Sequence, residues 1–139
     1  MDANIVVAAF LRDSTVRRVI ALSFLDLFVP EFLHEELARH APLLRRRAGL
    51  SERAASELLR RIEGYFKTVP REALLPHWSR AASCMAPIDP RDTAYLATAL
   101  AIPCKGIWSD DPHLKAQRLV PCWSTKELLV ALRADGLKL

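Results

Sequence analysis

Glycine is scarce in this chain, with four residues in 139. No repeat or low-complexity tract accompanies them. The sequence therefore offers no flexible linker and points to one domain over residues 1–139, a length typical of single domains. Cysteine is also sparse. Cys84, Cys104 and Cys122 are odd in number and far apart, which suits neither a zinc cluster nor a disulfide framework. They read as small buried apolar residues of a protein in a reducing cytoplasm. No window approaches the ~18 uninterrupted apolar residues of a membrane span. The N-terminus lacks the basic stretch that opens a secretory signal. No serine or cysteine has a convincing histidine partner nearby in sequence, so no covalent nucleophile is marked. His34 and His40 lie six positions apart, which does not put them on one helical face as a metal pair.

What is present is a globular mixture, 51% hydrophobic and 26% charged, and 139 residues can bury a core without disulfide staples. Lysine and arginine number 20 against 16 acids, and the net charge of +4 mildly favours a polyanionic partner. The distribution says more than the total. Arg45, Arg46 and Arg47, with Arg60 and Arg61, gather in the second quarter of the chain, while acids recur where strands should end.

Short apolar stretches alternate with helical patterns. Helix is expected over 4–10 and 16–20, with a cap near Ser14, and a buried strand over 25–30. A helix over 31–48 should stop at Gly49 and be kinked or split at Pro42. Ser51 opens the next helix, and 67–70 reads as a short strand. Helices over 71–85, from 93 through the Ala-rich "TAYLATALA", and over 112–117 follow, with strands at 105–109 and within "RLVPCWS". Ser124 and Glu127 form a capping box for the last helix. This alternation predicts an α/β sandwich with a mainly parallel sheet, in which polar sites collect at the carboxyl ends of the strands.

The acids fall at that edge. Asp2 precedes the first helix, and Glu35 and Glu36 follow the strand "LFVP". Asp89 and Asp92 start the helix after "APIDP", and Asp110 and Asp111 follow "KGIWS". Each has a plainer explanation as a helix cap, a turn or a solvated residue. Their recurrence at one register argues for convergence. Carboxylates in close contact repel by about 4 kcal/mol per pair at intermediate dielectric. Divalent cations remove that cost, and oxygen-only ligands select hard ions such as Mg²⁺ or Mn²⁺.

Four segments, in order along nearly the whole chain, resemble the PIN domain family of nucleases: "DANIVVAAF", "PEFLHEEL", "DPRDTAYLATAL" and "IWSDDPHL". The resemblance implies a three-layer α/β/α sandwich and a metal-dependent ribonuclease. Asp2, Glu36, Asp92 and Asp111 would hold one or two Mg²⁺ or Mn²⁺ ions that activate water for attack on an RNA phosphodiester. Asn4, Ser109 and Asp110 would support them. Arg12, Arg45, Arg46, Arg47 and Arg91 would contact the RNA phosphates. It also implies a cytoplasmic homodimer, and the toxin of a toxin–antitoxin pair with its antitoxin on a separate chain. Family members have an apolar strand before the first acid. Here only Met1 precedes Asp2, so that strand is expected to be missing or to lie upstream, leaving two unpaired sheet edges. His113 reads as a partly exposed helix residue, Trp108 as core, and Trp78 and Trp123 as residues able to stack on bases. Two other readings are a PIN-like scaffold that binds RNA or protein without cleaving, and a phosphoacceptor receiver domain. The second lacks a middle strand ending in Asp.

Overall fold

The computed structural model describes residues 1–11 and 14–138, with the backbone alone for Ser14. Arg12 and any side-chain cap by Ser14 lie outside that description. The order is α1 (Ala3–Leu11), α2 (Ser14–Ile20), β1 (Leu27–Pro30), α3 (Glu31–Ala48), α4 (Glu52–Glu63), β2 (Phe66–Val69) and α5 (Arg71–Met85). A 3₁₀ turn (Pro90–Asp92) then leads into α6 (Thr93–Ala101), followed by β3 (Ile107–Trp108), α7 (Pro112–Ala116), β4 (Cys122–Trp123) and α8 (Thr125–Ala134).

The helix ends follow local chemistry. Ser51 Oγ accepts the Ala54 N–H at 3.1 Å. Ser124 and Glu127 complete a reciprocal capping box. Gly49 takes the left-handed conformation (φ 66°), so that its N–H and that of Leu50 close on the last carbonyls of α3. Pro42 neither splits nor ends α3, which runs 18 residues through it. A proline inside a helix costs about 3 kcal/mol. Burial of Leu33, Leu37 and Leu44 on the same helix returns roughly 1.5–3 kcal/mol each and outweighs it.

The strands are parallel, as expected, but they form two pairs instead of one sheet: β1 with β2, and β3 with β4. Two residues fill the seam between the pairs. The Met1 ammonium donates to Phe28 O of β1 at 3.3 Å, and the Asp2 N–H donates to Trp108 O of β3 at 3.2 Å. Met1 and Asp2 thus link the two strand pairs through their main-chain nitrogens. In the second pair, Gly106 adopts φ 137°, and a Cβ there would lie 2.4 Å from Pro121 O. Only glycine lets β3 approach the chain this closely, and the Ile107 N–H then reaches Pro121 O at 2.8 Å.

One apolar core runs from Ile5 in α1 through Val29, Leu33, Met85, Leu96 and Ile107 to Leu132 in α8. Trp108 belongs to it, and its indole N–H donates to Thr125 Oγ1 at 3.0 Å. The cysteines depart from expectation. All three are free, Cys104 is exposed in the loop before β3, and Cys84 and Cys122 are half-buried. Among the described residues no helix is long and apolar enough to cross a membrane.

Asp2 caps α1, its Oδ1 accepting the N–H groups of Asn4 (2.9 Å) and Ile5 (3.3 Å). Asp2→Ala should therefore lower unfolding free energy by about 1–2 kcal/mol in urea titrations. Asp2→Asn, which keeps the cap and drops the buried charge, should leave it unchanged or raised at pH 7. Equal losses in both variants would contradict this role.

Candidate metal centre

The site begins with the run Asp-Pro-Arg-Asp at 89–92. Asp89 caps the 3₁₀ turn, its Oδ1 accepting the Arg91 N–H at 3.0 Å. Residues i and i+3 eclipse in a 3₁₀ turn, which sets Asp92 beside Asp89. From the other side, Asp111 caps α7 by accepting the His113 N–H at 2.9 Å, and Pro112 presets the first helical residue. The turn delivers the His113 ring between two carboxylates, with Nδ1 3.2 Å from Asp89 Oδ2 and 3.4 Å from Asp111 Oδ1. One oxygen each of Asp89 and Asp92 and a ring nitrogen of His113 lie within 4.8 Å of one another.

One further carboxylate, Asp2, is tied to this centre by a hydroxyl, and another, Glu36, is bonded by a neighbouring one. Ser109, fully buried, donates to Asp2 Oδ2 and accepts the Asp111 N–H at 2.9 Å. Tyr95, one turn beyond Asp92 on α6, donates to Glu36 Oε2. The same Glu36 contact and burial push the Tyr95 phenol far up, with burial the larger cause.

The electrostatics split the carboxylates. Arg91 grips Asp89 with two bonds, Nε to Oδ1 and Nη2 to Oδ2, both 3.1 Å, and holds its pKa below the usual carboxylate range. Asp92 goes the other way. Burial first, then the charges of Asp111, Asp89 and Asp2, raise it to about 6. Asp2 is also raised, mainly by burial. His113 partly offsets the negative field at Asp92. Among the described residues, Asp92 Oδ2 is the one buried side-chain polar atom without a hydrogen-bond partner. A buried carboxylate oxygen with no donor, inside a ring of like charges, matches the requirement of a cation. The donor set is two carboxylates and an imidazole. It suits Mn²⁺ better than the oxygen-only set expected from sequence, and remains compatible with Mg²⁺.

The residues expected from sequence sort by place. Asp92, Asp111, Asp2 and Ser109 gather here, with Arg91 against Asp89, and Glu36 meets Tyr95 on the adjoining turn of α6. Asp110 turns away: its two oxygens accept the Thr125 N–H (2.7 Å) and hydroxyl (2.6 Å) at the start of α8. Asn4 is exposed and contributes its backbone N–H to Asp2. Arg45, Arg46 and Arg47 occupy the last turn of α3, roughly 14 Å or more along the axis from Glu36. There they complement the helix dipole, and Arg45 Nη1 pairs with Glu52 at 3.6 Å. Asp89 stood among the converging acids in the sequence but not in the ligand set that the family resemblance implies, His113 read there as a partly exposed helix residue, and Tyr95 was not marked. The Asp-x-x-Asp spacing was a signal for Asp89, and Asp-Pro-His one for His113. Tyr95 gave none within an apolar helix.

The family model described as PIN domain matches residues 1–133. This chain belongs to the PIN domain family. No curated protein and no solved structure matches it. PIN domains are generally metal-dependent nucleases, and the centre built on Asp89, Asp92 and His113 has the chemistry for a divalent ion.

Because the folded PIN domain holds the Asp92 carboxyl at about 6, above its ordinary 3.8, it retains a proton there that the unfolded chain releases. Stability in chelator should fall as pH rises from about 4 to about 6 and stay reduced above that. Asp89, shifted down, acts in the opposite sense, its contribution fading only as pH drops into the acid range. Urea unfolding of Asp92→Asn should show a flatter decline between pH 4 and 6 than the parent. An unchanged slope would contradict the assignment.

Proposed function

We propose that this PIN domain is a Mg²⁺- or Mn²⁺-dependent ribonuclease that hydrolyses phosphodiester bonds. The observation that carries the reading is the unpartnered, buried Asp92 Oδ2 inside the Asp89–Asp92–His113 group. These three residues would hold the cation. When bound, it acidifies water and offsets charge developing on the phosphate. The chain's own groups set the stage. Arg91 keeps Asp89 ionised and, being 85% exposed, has N–H groups left for a substrate phosphate. Ser109 fixes Asp2 and Asp111 relative to each other, and Tyr95 fixes Glu36. Those bonds hold like charges in place without free rotation, which keeps the site organised before substrate arrives.

The reading extends to one domain with helices layered on both faces of the parallel strands. Family membership supports RNA as substrate and a toxin–antitoxin role with a separate antitoxin chain, in a cytoplasmic homodimer.

Cleavage of a labelled single-stranded RNA tests the core of the proposal. Activity should appear with Mn²⁺ or Mg²⁺, vanish in EDTA and fall at least about 100-fold in Asp92→Asn. Cutting that survives EDTA, or a fully active Asp92→Asn, overturns it. A parent protein inert with every metal would favour a non-catalytic scaffold.

A further inference from the structure

A second concavity shares a wall with the acidic centre. It lies between α3, α5 and the 3₁₀ turn, encloses about 470 Å³, and is lined by Phe32, Leu75, Trp78, Arg71 and Arg91 among others. We propose that it is a nucleobase subsite, taking one unstacked base of a single-stranded RNA next to the phosphate that the acidic centre addresses. This inference rests on the ribonuclease reading for its substrate class.

Four observations carry it. Trp78 and Leu75 are 42% and 65% exposed and stand one helical turn apart on α5, an apolar surface left open to water. The other wall is Phe32 of α3, whose ring is 5.9 Å from the Arg39 guanidinium and 6.5 Å from the Tyr95 ring. Tyr95 holds Glu36, so this wall is continuous with the carboxylates. The rim is basic. Arg71 and Arg91 are 65% and 85% exposed, and each spends only part of its guanidinium on Glu35 and Asp89. Arg91 lies between the two proposed cation ligands in sequence, so it borders both the cavity and the metal centre. Aromatic faces beside guanidinium groups are the chemistry that binds splayed bases and their phosphates. The cavity volume lies in the range of small-ligand sites, roughly 300–1,000 Å³. A purely apolar partner would leave the two arginines unanswered. A base-paired strand could not offer its face to Trp78, so the subsite selects single-stranded RNA.

The test is fluorescence anisotropy of a labelled single-stranded RNA oligonucleotide with the full chain in EDTA, where no cleavage interferes. Trp78→Ala should weaken binding about ten-fold or more, Trp78→Phe should restore most of it, and Arg71→Gln should weaken it and flatten the salt dependence. A duplex of the same sequence should bind weakly and ignore Trp78. Urea midpoints of the variants confirm that each is folded. Parent-like RNA affinity in folded Trp78→Ala overturns the subsite, as does equal dependence of duplex binding on Trp78. Loss of self-association in Trp78→Ala with RNA affinity intact would assign the surface to a protein contact and also overturn it. If the chain never cleaves RNA yet shows the Trp78 dependence, the subsite stands and the nuclease reading alone fails.

Discussion

Asp2 bonds the start of α1, the end of β3 and the Ser109 hydroxyl that leads on to Asp111. Its N–H reaches Trp108 in β3, and its neighbour Met1 reaches Phe28 in β1, so the two strand pairs are joined through these residues. Its Oδ1 caps α1, and its Oδ2 accepts from Ser109, which in turn accepts from the N–H of Asp111. The residue that closes the fold is also one of the charges that raise Asp92. Fold and site therefore cannot be relaxed independently. Turning the Asp2 carboxylate away would release both the α1 cap and the Ser109 bridge.

That constraint leaves the site with charge it cannot disperse. Arg91 answers Asp89 with two bonds, and His113 stands between Asp89 and Asp111. Neither bonds the buried Asp92 Oδ2. A carboxylate shifted up by burial and like charge, beside one shifted down by a guanidinium, is a pattern seen where function requires it. A divalent ion held by Asp89, Asp92 and His113 would supply the missing positive charge.

Much of this was legible in the residues, for local reasons. Ser51, Gly49 and the Ser124–Glu127 pair mark helix ends because their chemistry acts within four residues. Acids after apolar stretches mark the carboxyl edge of parallel strands, and the charges of Asp2, Asp89 and Asp111 all act on Asp92, while Glu36 is bonded to Tyr95. What was hidden depends on distance in sequence or on fine turn geometry. A 3₁₀ turn and a helical first turn look alike in sequence, yet only the former eclipses Asp89 with Asp92. His113 enters through the direction of α7. Arg45, Arg46 and Arg47 looked like phosphate contacts by charge, but an 18-residue helix carries them to its far end.

The most direct measurement is calorimetric titration of Mn²⁺ into the chelator-stripped protein at neutral pH, alongside Asp92→Asn and His113→Ala. The account predicts saturable binding in the parent, abolished by Asp92→Asn and weakened about ten-fold or more by His113→Ala. Binding that is indifferent to both substitutions would contradict it, because the carboxylates would then converge without a cation to hold.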